Sequence, residues 1–268
     1  MVAAAGAVLV LLLVPIVALL VRSVSGRNGW TAAGYRALAG FGGDGTVSVT
    51  GWEAAVNSLR TATDATLIAL VVASLASVAV VSLGRSPHRG ARAVGEVTDA
   101  ALMVPLGVSA VTVGFGYLVT LGELPGQLRT SPLLVPLAQA LVVIPLMVRL
   151  VLPVLRSVDG RLRQAAATLG AGPVRLWREI DLPLVARSFA AAAAFGHVVA
   201  LGEFGATSFL SRPDAPTLPV LIADLVGRPG ELNNLTAYAA CALLMVVTAA
   251  MALVIETLRS PQARVGEF

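Results

Sequence analysis

The chain contains no lysine; all 19 of its basic residues are arginines. A Walker-type phosphate loop grips nucleotide phosphates with a lysine, so this chain cannot build one. Lysine Schiff-base chemistry and Ser–Lys catalysis are excluded on the same ground. Cysteine is almost as scarce. Cys241 stands alone in an apolar run, which rules out an internal disulfide and predicts a buried, structural thiol. The two histidines, His88 and His197, are far apart and make a poor metal site. No metal and no cofactor is expected, and no credible nucleophile–base pair supports an intramembrane enzyme.

Charge is the other deficit. Only 13% of the 268 residues are charged, whereas a soluble domain is near 25%. Hydrophobic residues make up 57%, and the mean hydropathy is +0.85. This composition predicts an integral membrane protein. One span needs about 20 apolar residues, which leaves room for about six spans with modest loops and for no separate soluble domain. The expected fold is an all-α polytopic helical bundle, a single transmembrane domain over 1–268. The pI of about 10.2 does not point to nucleic acid, because the arginines cluster in particular loops.

Six apolar runs mark the spans: 2–21, 63–83, 100–120, 133–152, 188–210 and 236–258. The first is too long for a signal-peptide core, has no basic segment before it, and is followed by no small-x-small cleavage site. Pro105 and Pro145 fall inside spans and should kink them. Gly107, Ala110 and Gly114 share one face of the third span, where small residues let helix backbones approach closely.

The loops alternate in charge. Arg85, Arg89 and Arg92 lie in one; Arg156, Arg161, Arg163, Arg175, Arg178 and Arg187 in a longer one; Arg259 and Arg264 in the tail. The intervening loops mix arginine with Asp44, Glu53, Glu123, Asp214, Asp224 and Glu231. Arginine excess marks the cytoplasmic side of a cell membrane, so both termini are expected there. Arg22 and Arg27, with no arginine ahead of the first span, would alone favour the opposite orientation. Either the later loops dominate, or an upstream membrane half supplies the missing charge.

The long loop, about 156–187, carries the strongest pattern. Leu162, Ala165, Ala166 and Leu169 recur at helical spacing. Gly170 supplies a left-handed stop, Gly172 a second turn, and Pro173 the first turn of a new helix. Leu176, Trp177 and Ile180 give that second helix an apolar side, and Leu182-Pro183 is expected to end it and redirect the chain into the fifth span. The result would be two short helices bent at a glycine, presenting an apolar face with an arginine fringe.

Gln164-Ala165-Ala166, Gly170 and Ile180-x-Leu182-Pro183 resemble the EAA signature of ABC importer permeases, and the segment precedes the penultimate span as it does in that family. Each defined position matches except the first, where Gln164 stands for glutamate; an ion pair at that position is put in doubt, the docking shape is not. The resemblance implies that Gln164, Ala165, Ala166, Gly170, Ile180, Leu182 and Pro183 couple the spans to a separate ATP-binding subunit. It also implies an extracytoplasmic solute-binding protein and a second permease half, identical or different, as partners in a bacterial plasma membrane. Leu201-Gly202-Glu203-Phe204-Gly205-Ala206-Thr207 and Leu106-Gly107-Val108-Ser109-Ala110 are similar to permeases for ferric iron, thiamine and some oxyanions, in particular the second half of fused twelve-span proteins.

Glu203, placed inside the fifth span by this reading, should face the bundle interior or water, because an acid at mid-membrane costs about 2.5–3.5 kcal/mol. It is a candidate pathway residue or a structural acid bonded to a neighbouring helix. Gly202 and Gly205 should allow such a neighbour to approach. His197, off that face, should make a polar contact between helices. Asp99, near a span end, should be interfacial. A gradient-driven transporter with Glu203 as its ion site is the alternative to an ATP-driven one.

Overall fold

The computed structural model describes residues 2–41, 49–122, 131–158 and 160–259. The expected loop acids Asp44 and Glu123 and the tail arginine Arg264 lie outside them. The described chain is almost wholly helical. Five helices are long and apolar enough to cross a membrane, or six if one sharply bent pair counts as a single span.

The elements divide into two compact units, 1–60 with 211–268, and 61–210. The first unit begins with α1 (Val2–Ser23), whose large apolar side chains from Val8 to Val21, Leu19 excepted, are 43–75% exposed. A helix that is apolar on every face finds its proper solvent in lipid. A two-strand hairpin follows, Ser25–Gly26 against Gly29–Trp30, with Gly29 at a positive φ of 114°. Nothing in the hydrophobic pattern forecast it. The carboxylate of Glu231 fastens it by accepting from the Arg27 backbone N–H at 2.7 Å. α2 (Ala33–Leu38) packs on the last helix of the chain, which takes the label α12 below. α3 (Gly51–Gly84) gives its first ten residues to this unit and the rest to the other.

In the second unit, the expected third span, 100–120, is not a single kinked helix but is broken in two. α4 (Arg89–Met103) runs into a 3₁₀ turn (Val104–Gly107), and α5 (Ala110–Gly122) leaves at 94° to it. Pro105 opens the break: it has no N–H to give, and its ring displaces the carbonyl one turn back. Val108 is then fully extended, at φ −104°, ψ 135°. By contrast, α6 (Leu134–Ser157) continues as one helix through Pro145 and Pro153. The Asp99 carboxylate pairs with Arg156 at 2.8 Å, tying α4 to α6.

After α6 come α7 (Gly160–Thr168), α8 (Pro173–Leu176), a π turn (Trp177–Asp181), α9 (Leu182–Gly202) and the single turn α10 (Thr207–Leu210). α9 packs along α6, and Gly196 makes this possible, since a Cβ there would overlap Val143 and Met147. His197 faces Thr66 of α3 across 3.5 Å, the contact between helices that its position suggested.

The chain then returns to the first unit through α11 (Leu218–Gly227) and α12 (Glu231–Arg259). Leu218, Leu221 and Leu225 of α11 meet Ala237, Ala239 and Ala240 of α12 in a shared core with Ala54 and Ala55. Cys241 on α12 is half-buried rather than enclosed, because the core contact is made by its alanine neighbours.

Candidate functional site

The polar segment 160–183 is built by two helix ends and the glycine between them. α7 closes in a Schellman arrangement. The Ala171 N–H reaches back to the Ala166 carbonyl at 3.0 Å, and the Gly170 N–H to the Ala167 carbonyl at 3.0 Å. Gly170 takes the left-handed conformation this requires, with φ 82°. Gly172 then starts α8, its carbonyl accepting from the Leu176 N–H at 3.0 Å, with Pro173 in the first turn where its missing donor costs nothing.

Leu182-Pro183 does not end the second helix. The chain passes from α8 through the π turn into α9 without a break, one continuous helical path from Val174 to Gly202. The proline is accommodated upstream. The Leu182 N–H bonds the Trp177 carbonyl, five residues back, so the turn before Pro183 is widened and the ring escapes the clash it would have in a plain α-helix. The fifth span therefore begins at the loop itself rather than at 188.

The predicted residues fall into three places. Gln164, Ala165 and Gly170 are exposed, and Ala166 is half-buried. Ile180 is half-buried inside the π turn, while Leu182 and Pro183 are exposed on the first turn of α9. Around the Gly170 bend the apolar side chains stand in the open: Leu169 is 87% exposed and Val174 79%. Leu162, on α7, is 51% exposed.

Sequence reading did not find the electrostatic centre of this segment. Arg163 donates from Nε to Asp181 Oδ1 at 2.7 Å, and its Nη2 lies 2.6 Å from Oδ2. This two-pronged pair bridges α7 to the residue just ahead of α9. The Asp181 side chain is only 4% exposed and that of Arg163 26%. Removing one partner of such a pair typically costs about 3–5 kcal/mol, because the other charge is left buried. The two residues are too far apart in sequence for helix-spacing rules, and Asp181 occupies the free position of the Ile-x-Leu-Pro pattern, so no local signal marked them. Arg85, just past α3, donates to the carbonyls of Leu155 and Val158 at 3.2 and 3.4 Å and so closes the end of α6. Burial first, and then the Arg163 charge, push the Arg85 pKa down from its ordinary value, while Asp181 pulls it back. A cavity of about 280 Å³ lies beside the pair, lined by Val78, Val81, Leu155 and Trp177 among others.

Glu203 is not in this cluster, and it is not inside a span. α9 ends at Gly202, some 30 Å along the helix from Asp181 at 1.5 Å per residue. Glu203 has extended backbone, and its carboxylate accepts from the Ala206 N–H at 2.8 Å, the Thr207 N–H at 3.1 Å and the Thr207 hydroxyl at 2.6 Å. Those three donors compete with continuation of the helix and win. The glycines beside it differ: a Cβ on Gly205 would lie 3.1 Å from Ala110 and Val111, whereas one on Gly202 would touch nothing. Glu203→Ala is expected to strand these donors and lower stability by about 1–3 kcal/mol, read as a lower unfolding temperature in detergent. Glu203→Gln should fall between, since it replaces one acceptor oxygen by a donor.

No family model matches the chain. Individual relatives do. It is 32% identical over 170 residues to the molybdenum transport system permease protein ModB of Escherichia coli K12, covering 58% of this chain and 72% of that one. To a protein of Salmonella typhimurium named for a 2-aminoethylphosphonate transport system permease, PhnV, it is 27% identical over 216 residues, 81% of this chain and 77% of the other. The thiamine transport system permease protein ThiP of Brucella abortus is 28% identical over 176 residues, 66% of this chain but only 31% of the longer relative. A multi-pass helical architecture and these relatives agree: the chain belongs to the permeases of ABC transport systems, the membrane components of solute transport.

Proposed function

We propose that this chain forms half of the solute pathway of an ATP-driven importer and that residues 160–183 dock a separate ATP-binding subunit from the cytoplasm. The observation that carries this reading is the open apolar bend at Gly170, with Leu169 87% and Val174 79% exposed on a segment fringed by arginine. Large apolar side chains held out at a bend where the span begins call for a protein partner. The chain, lacking lysine, has no Walker loop of its own. Gln164, Ala165, Ala166, Ile180, Leu182 and Pro183 shape the docking element, and both termini lie on its side of the membrane.

In this mechanism a solute-loaded receptor engages the outer face, nucleotide closes the ATPase pair, and the segment around Gly170 moves with it and re-orients α9. A second permease half, identical or different, completes the pathway. The cargo is a small polar solute of the ferric iron or thiamine type, on the motifs around Glu203 and Leu106; the relatives are named for molybdenum, thiamine and 2-aminoethylphosphonate transport. Glu203, with both oxygens engaged, contributes to the pathway by shaping it, not by binding ions.

The test is co-purification with the ATPase encoded beside it, followed by uptake of ferric iron, thiamine and molybdate into proteoliposomes. ATP inside the ATPase-facing compartment should drive uptake. Uptake driven by an ion gradient with no ATPase bound would overturn the reading.

A further inference from the structure

We infer that the Arg163–Asp181 ion pair is the rigid link that carries displacement of α7 into α9, so that Asp181 is a positioning residue for transport. The inference rests on the reading of the Gly170 bend as the ATPase dock.

Three observations converge on it. First, α7 is not packed into the core. No residue of α7 is buried, so apolar packing cannot make it move as one body with the span. Its covalent connection to α8 passes through Gly170 and Gly172, the most pliable residues in the segment. Second, the pair is built to be stiff. Two parallel bonds of 2.7 and 2.6 Å fix the guanidinium plane against the carboxylate, and Asp181 is withdrawn from water. Third, the pair is placed where a push has effect. Asp181 is the last residue of the π turn, directly ahead of the first turn of α9. Arg85 fixes the end of α6 close by, through its bonds to Leu155 and Val158. The neighbouring cavity leaves room for Trp177 to shift when the link moves.

A docking segment joined to its span only by glycines would flex when pushed, and the ATPase stroke would be lost in the hinge. The ion pair bypasses the hinge. It joins the two arms of the segment on the span side of Gly170.

The experiment uses the assembled permease–ATPase complex in proteoliposomes, with Cys241→Ser and a reporter Phe195→Cys on α9, a position 48% exposed. Trapping with ATP and vanadate should change the rate at which the reporter reacts with a thiol reagent. In Asp181→Asn that change should shrink about tenfold, within the usual range of coupling between sites, with the ATPase still bound. Arg163→Gln should do the same, and the reversed pair Arg163→Asp/Asp181→Arg should restore most of the response. An undiminished response in Asp181→Asn, or a reversed pair as defective as the single variants, overturns the inference and leaves the docking reading intact. Failure of both single variants to accumulate in the membrane would show that the pair holds the fold together, and also overturns it. Absence of the ATPase from the unmodified complex overturns the docking reading itself.

Discussion

Gly170→Asp is expected to abolish solute uptake while the protein remains in the membrane at normal levels. The local cost is small. A left-handed residue with a side chain carries about 1–2 kcal/mol of strain, and aspartate is among the side chains that tolerate it best. A Cβ at Gly170, where φ is 82°, would meet nothing within 4 Å, so the chain itself has room for the change. The cost falls on the partner. A carboxylate beside exposed Leu169 and Val174 would be buried unpaired when the bend enters an apolar cleft, at several kcal/mol. A loss of about 4 kcal/mol is roughly a thousandfold in affinity. Uptake, membrane abundance and ATPase co-purification measured together separate these terms. Gly170→Asn, which keeps the left-handed conformation without the charge, should retain part of the activity. Normal uptake by the aspartate variant would mean that the bend docks nothing.

The second large effect is expected at Gly114. A Cβ there would sit 2.7 Å from the Cα and carbonyl oxygen of Ala206, and backbone cannot swing aside as a flexible side chain can. Ala206 is fully buried, the rings of Phe115 and Phe209 meet edge to face at 6.0 Å, and Glu203 bonds the Ala206 N–H. The joint between α5 and α10 therefore has no slack. Gly114→Val should cost about 1–3 kcal/mol or more in overpacking, seen as a fall of several degrees in unfolding temperature. Gly107→Val is the control: a Cβ there meets nothing within 4 Å, and the change should stay within about 0.5 kcal/mol. Equal behaviour of the two variants would refute this account of the joint.

Those two glycines also show what the sequence made legible and what it did not. Their spacing puts them on one face of one helix, and a proline in the same run signals a bend but not its size. The turn at Pro105 removes Gly107 from that helix, so the shared face never forms. Spans 2–21, 133–152 and 236–258 were readable because apolar length is a direct consequence of bilayer thickness. The stop at Gly170 was readable because only one backbone conformation suits that role, and glycine adopts it most cheaply. Leu182-Pro183 was misread because a proline's effect depends on whether the preceding turn can widen, which composition does not tell. Glu203 was misplaced because an acid that captures three donors can end a helix amid apolar residues. Arg163 and Asp181 were invisible because their meeting depends on how the chain folds back at Gly170, not on any fixed interval.

The widened turn at 177–181 has a consequence for phase. Each residue of an α-helix advances the direction of its side chain by about 100°. One extra residue in a π turn offsets everything before it by that amount relative to everything after. Val174 points to the outside, whereas Val185 and Ala192 on the same continuous path are fully buried. The turn sets these two directions independently. Removing one residue from it would carry Val174 round by about a quarter-turn and return Pro183 to its clash with the carbonyl four residues back. Side-chain changes on the bend can retune its surface without disturbing how the bundle packs; a single-residue insertion or deletion between Trp177 and Asp181 cannot.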